Sequence, residues 1–125
     1  MDIDKINTTA LAYMGDAVYE VYIREYVMKK GIVHSNNLHK EAVKYVSAQG
    51  QAKAVKAMFD FLSEDEKKLV KRARNHKTSS KAKNADPVTY KWATAFEALL
   101  GKTHLEGNLQ REEEIVRLAI EYIEG

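Results

Sequence analysis

Only one of the 125 residues is a proline, Pro87, and it directly follows an aspartate. Proline breaks helix interiors and sheet ladders alike, so a chain nearly free of it can run long regular segments. Alternating apolar–polar runs, the mark of half-buried strands, are scarce, whereas helix start and stop signals are plentiful. A first helix is predicted from Asn7 or Thr8 to about Lys30, with Gly31 as its stop. A second follows Ser35 as N-cap through "LHKEAVKYV". A third covers "QAKAVKAMFDFL", bent or separated from the second around Gly50. Ser63 and Glu66 have the spacing of a capping box and open "EDEKKLVKRARN". Residues 76–85, "HKTSSKAKNA", show no apolar period and read as an exposed loop. Asp86 and Pro87 then supply an N-cap and a first-turn proline for a long helix to about Glu106. Gly107 ends it, and Asn108 caps a final helix through "REEEIVRLAIEYI". The expected fold is all-α, one compact domain over residues 1–125.

Charge narrows the function. The formal net charge is +2, but residues 1–66 carry −2, residues 67–101 carry +7 and residues 102–125 carry −3. A basic middle block between acidic neighbours is the footprint of a nucleic-acid ligand, or of a solvated lysine-rich loop. The absence of cysteine excludes disulfides and thiolate metal sites and fits a reducing cytoplasm. "MDIDKIN" lacks the layout of a secretory signal, and Asp16, Glu20 and Arg24 interrupt the best candidate for a membrane span. A cytoplasmic protein with no membrane partner is expected.

Two carboxylates stand out inside apolar helix. In "LAYMGDAVYE", Asp16, Glu20 and Arg24 form one polar stripe, while Leu11, Met14, Val18, Val21, Tyr22, Ile23 and Tyr26 cover most of the remaining circumference. Such a helix is normally central in its fold. In "TAFEALLG", Glu97 is flanked by Phe96, Ala98, Leu99 and Leu100. Each carboxylate could be an ordinary solvated edge, the first with an internal ion pair. The glycines argue for more. Gly15 precedes Asp16, and Gly101 lies one turn after Glu97; each costs about 1 kcal/mol relative to alanine in a helix. Helices crossing at these glycines would set Asp16 against Glu97. Two carboxylates with no basic partner repel unless a divalent cation holds them, and oxygen-only ligation suits Mg²⁺ or Mn²⁺. Such a cation can activate water and stabilise charge on a phosphoryl group. His34, His39, His76 and His104 have no zinc-helix spacing, no Ser/His/Asp grouping is legible, and no phosphate-cradling glycine loop is present. Metal-dependent attack on phosphodiesters accounts for the carboxylates and the basic block together.

"YMGDAVYE" and "FEALLG" resemble, in order and separation, the two signatures of ribonuclease III catalytic domains. "KRARNHK", "KNAD" and "TYKWATAFEALLG" resemble the small branch called mini-ribonuclease III. The resemblance extends from about Leu11 to beyond Gly101. It implies a Mg²⁺-dependent endonuclease (Mn²⁺ a possible substitute) cutting double-stranded RNA, with Asp16 and Glu97 as catalytic metal ligands. It also implies a homodimer with Tyr13 in its interface, although without the resemblance Tyr13 reads as a core residue. Members of the branch lack a separate double-stranded-RNA-binding domain and mature the 23S ribosomal RNA precursor; the same is expected here. The contact with RNA is expected from Arg72, Arg74, Asn75, Lys77, Lys81 and Lys83.

Three positions depart from the larger enzymes. Two further glutamates are replaced by Thr9 and Ala12, and an aspartate by Thr94. The acidic cluster therefore reduces to Asp16 and Glu97, with Glu20 either a ligand or structural support. A double-stranded-RNA binder without catalysis, using the basic 67–91 segment, is the alternative. A helical module docking an acidic protein is a more distant one.

Overall fold

The computed structural model describes residues 1–76 and 86–125, and among them every regular element is helical. Six α-helices follow in order: α1 (Thr8–Lys29), α2 (Ser35–Val46), α3 (Ala48–Met58), α4 (Glu64–Asn75), α5 (Pro87–Leu105) and α6 (Leu109–Glu124). Single 3-10 turns at Ile3–Lys5 and Phe59–Phe61 precede α1 and follow α3. None of the described helices is long and apolar enough to cross a membrane.

The ends of the helices follow their capping chemistry. The Asn7 side chain accepts from the Ala10 amide at 2.8 Å and opens α1, and Gly31, at φ +85°, turns the chain away after it. At α4 both halves of the capping box form: Glu66 accepts from the Ser63 amide at 2.8 Å, and Ser63 Oγ from the Glu66 amide at 3.1 Å. Asp86 accepts from the Thr89 amide at 2.9 Å ahead of Pro87, and Asn108 from that of Arg111 at 3.2 Å.

Two boundaries differ from expectation. Ser35 is the first helical residue of α2 and His34 its cap, because the amides of Asn37 and Leu38 both close on the His34 carbonyl. The α2–α3 break falls at Ser47, three residues before Gly50. Ser47 is extended, donates its amide to Val43 O, and accepts the Gly50 amide on Oγ, so one residue ends one helix and starts the next. Gly50 is instead a packing residue within α3: a Cβ there would lie 2.5 Å from the Lys44 carbonyl oxygen.

α5 is the axis of the fold. Ala93, Ala95, Phe96, Ala98, Leu99, Leu100, Gly101 and Thr103 are buried on it, with α1, α3 and α4 packed around and α6 closing against α3 and its C-terminal half. Tyr19 of α1 meets Phe96 edge-on at 4.8 Å between ring centroids, both almost wholly buried. Burial of such a side chain contributes about 1.5–3 kcal/mol.

Candidate active site

α1 and α5 touch backbone to backbone. A Cβ on Gly15 would fall 1.7 Å from the carbonyl oxygen of Glu97, and one on Gly101 would fall 1.9 Å from that of Leu11. No side chain fits at either place, so the paired glycines are the condition for this crossing. The expected approach of the two helices is therefore met.

The crossing sets the two carboxylates together. Asp16 follows Gly15 on the exposed edge of α1, Glu97 lies half-buried on α5, and their carboxyl groups are within hydrogen-bond reach. Burial, then the charge and the hydrogen bond of Asp16, push Glu97 up to about 8; Glu20 adds to the rise, and a hydrogen bond from Gln51 opposes it. Without a cation, the Glu97 carboxyl therefore holds its proton near neutrality. Glu20, one turn beyond Asp16, accepts from Arg24 Nε at 3.1 Å, which is the internal ion pair expected of the stripe. Thr94 spends its hydroxyl hydrogen on the Tyr90 carbonyl at 3.0 Å. Among the described residues no group of three or more His, Asp or Glu converges at metal-binding spacing.

Gln51 of α3 is the residue that sequence reading missed. It is 3% exposed, donates Nε2 to the Val46 carbonyl at 2.9 Å, and reaches the Glu97 carboxyl. Nothing in "SAQGQAKAV" marks it, because helical spacing cannot tell a buried glutamine from a solvated one.

The candidate RNA residues are placed in part. Arg72, Arg74 and Asn75 form the last turn of α4, Arg72 and Asn75 exposed and Arg74 partly covered. Arg74 donates from Nε to Asn75 Oδ1 at 3.2 Å, and its guanidinium lies 4.9 Å from the centre of the Trp92 ring. Lys56 of α3 approaches the same ring at 5.5 Å, and Lys67 and Lys71 approach Phe59 at 5.9 and 5.8 Å. Among the described residues, no carboxylate pairs with Lys56, Lys71 or Arg74 within 4.0 Å. Lys77, Lys81 and Lys83 lie outside the described residues.

Tyr13 is 82% exposed, against its reading as a core residue. With Ala17 and Val21, both also exposed, it forms a row at four-residue spacing along α1. At the margin of that face the buried Glu112 accepts from the Tyr22 hydroxyl and lies 2.7 Å from His104 Nδ1.

The family model described as the Ribonuclease III domain matches residues 9–108. The chain is 46% identical over 127 residues to the Mini-ribonuclease 3 of Streptococcus pneumoniae, covering all of this chain and 99% of that one. Against the Mini-ribonuclease 3 of Enterococcus faecalis it is 44% identical, with 98% and 94% covered. A crystal structure of a Fusobacterium nucleatum protein superposes with a TM-score of 0.84 at 32% identity, over 96% of each chain.

Proposed function

Since the chain belongs to the ribonuclease III family, in its mini-ribonuclease branch, we propose that it is a metal-dependent endoribonuclease hydrolysing phosphodiesters of double-stranded RNA. The natural substrate in this reading is the 23S ribosomal RNA precursor, met in the cytoplasm. Residues 1–125 would act as one catalytic domain.

One observation carries the reading. Asp16 and Glu97 are pressed together by a crossing that two glycines alone permit, and the side chain that favours the ionised form of Glu97 is a neutral amide, not a cation. An acid pair assembled at the cost of mutual repulsion fits a divalent cation. The donor chemistry agrees: two carboxylates and the unpartnered buried Oε1 of Gln51 are hard oxygens, as Mg²⁺ or Mn²⁺ requires. When bound, the cation would keep both carboxylates ionised, activate the attacking water and balance charge on the phosphoryl oxygens. Asp16, at the surface, would meet the scissile phosphate side of the site, while Glu97 anchors it from within. Arg72, Arg74 and Asn75, with Lys77, Lys81 and Lys83, would hold backbone phosphates and 2′-hydroxyls, which A-form RNA presents across its minor groove. Lys56 and Trp92 extend that basic surface. The protein would act as a homodimer through the open face of α1 around Tyr13.

The test incubates the purified protein and long duplex RNA with Mg²⁺, beside Asp16→Asn and Glu97→Gln. Cleavage by the wild type, lost in both variants, is the expected result. The replacement of acids at Thr9, Ala12 and Thr94 favours a second reading, an RNA binder without catalysis. Binding without cleavage under Mg²⁺ and Mn²⁺ alike would establish that one instead.

A further inference from the structure

A primary amide offers two hydrogens on nitrogen and two lone pairs on oxygen. The Gln51 nitrogen donates to the Val46 carbonyl at 2.9 Å and lies near enough to the Glu97 carboxyl to favour its ionised form. Its oxygen is not engaged at all: among the described residues, Gln51 Oε1 is the one buried side-chain nitrogen or oxygen without a hydrogen-bond partner. Turning the amide over would only set this oxygen against the Val46 carbonyl, acceptor to acceptor, so the orientation is fixed. A buried acceptor left unsatisfied costs about 1–3 kcal/mol, and an apolar side chain of the same size would avoid the cost.

The α2–α3 junction does not explain the glutamine. Ser47 already closes α2 on Val43 and caps α3 at Gly50. What the amide does have is position, on α3, which packs against α5 and sets Gln51 beside the Glu97 carboxyl.

We propose that Gln51 completes the carboxylate site: Nε2 positions Glu97, and Oε1 is the third protein oxygen turned to the divalent cation or its hydration shell. The inference rests on Asp16 and Glu97 being the cation's ligands. It also accounts for the choice of an amide. A third carboxylate would add repulsion to a pair already in contact, whereas an amide oxygen supplies a donor with no charge. With threonine at position 94 and alanine at position 12, a neutral donor from α3 supplies part of what the missing acids would have given.

The experiment titrates Mn²⁺ into the metal-stripped chain, without RNA, and reads affinity by calorimetry. Wild type, Gln51→Leu, Gln51→Glu and Asp16→Asn are compared, with metal-free melting curves as the control for folding. Gln51→Leu is expected to weaken Mn²⁺ binding about 10–100-fold while its metal-free melting temperature stays close to wild type, the usual scale for a lost orienting partner. Gln51→Glu is expected to bind Mn²⁺ at least as tightly as wild type yet melt lower without metal. Wild-type affinity in a folded Gln51→Leu, beside lost affinity in Asp16→Asn, would overturn the role of Gln51 alone. Should Gln51→Leu not fold, Gln51→Glu decides, and a loss of Mn²⁺ binding there overturns the proposal. No Mn²⁺ uptake by the wild type, or unchanged uptake by Asp16→Asn, would remove the carboxylate reading and Gln51 with it.

Discussion

At the scale of single residues, two glycines do what no other residue could. Gly15→Ala would drive a methyl to 1.7 Å from a carbonyl oxygen of α5, and Gly101→Ala to 1.9 Å from one of α1. Neither obstacle is a side chain able to swing aside, so the helices must separate. Each substitution should cost about 3 kcal/mol or more, at the upper end of overpacking, read as a lower urea midpoint. The double variant should lose less than the sum, since the first separation relieves the second clash. An unchanged midpoint in either single variant would contradict the crossing. These glycines were legible in the sequence because each stood beside a carboxylate inside an apolar helix, where glycine is costly. Gln51 was not. Its signal is an unpaired atom, which exists only once α3 is laid beside α5.

At the scale of elements, α4 and α6 are tied by one carboxylate with two tasks. Glu66 completes the capping box and also accepts Arg111 twice, from Nε at 2.9 Å and from an Nη at 2.8 Å. Burial alone would raise the Glu66 carboxyl, but the Arg111 hydrogen bonds and the Ser63 cap outweigh it and leave the carboxyl below its ordinary value. The sign follows from linkage. A group depressed in the folded state contributes stability above its unfolded value near 4.5, and that stability is lost as pH falls through the folded value. The wild type should therefore weaken on acidification below about pH 4.5 in a step that Arg111→Met diminishes. At pH 7 the same variant should cost about 2 kcal/mol, between the worth of an exposed pair and that of a buried one. Equal urea midpoints for the two chains at pH 7 would show the tie to be idle. Helix caps were readable at Asn7, Ser63, Asp86 and Asn108, where a side chain makes the bond. They were misread at Ser35 and Gly50, where a neighbouring backbone carbonyl or a junction serine took the part.

At the scale of the whole molecule, the two proposed surfaces differ in kind and are separable by experiment. The α1 face is apolar and open: Tyr13 and Val21 are 82% and 56% exposed. The sequence suggested an α1 buried nearly all round, yet the row at 13, 17 and 21 is left uncovered by this chain's own helices. A second copy would cover it, as the homodimer proposed above requires. Val21→Asp, at an exposed position, should leave the fold within about 0.5 kcal/mol of wild type. In sedimentation it should shift a dimer to a monomer, and a wild-type sedimentation rate would take this face out of the interface. The basic face on α3, α4 and α5 should respond to salt instead. Lys56 and Arg74 share the Trp92 ring and have no carboxylate partner among the described residues, so their charge is free to meet phosphates. Attraction to a cation adds order to each side chain at about 0.5–1 kcal/mol for an exposed ring contact, lowering the entropy lost on binding. Each phosphate neutralised releases counterions, steepening the fall of log affinity with log salt by about 0.9 on the duplex DNA scale. With Asp16→Asn as the background, so that RNA is bound and not cut, Lys56→Ala and Arg74→Ala should each flatten that slope by about one. Trp92→Leu should weaken binding while leaving the slope nearly unchanged, because the charges remain but lose their platform. A slope unmoved by either charge deletion would turn the RNA away from this face.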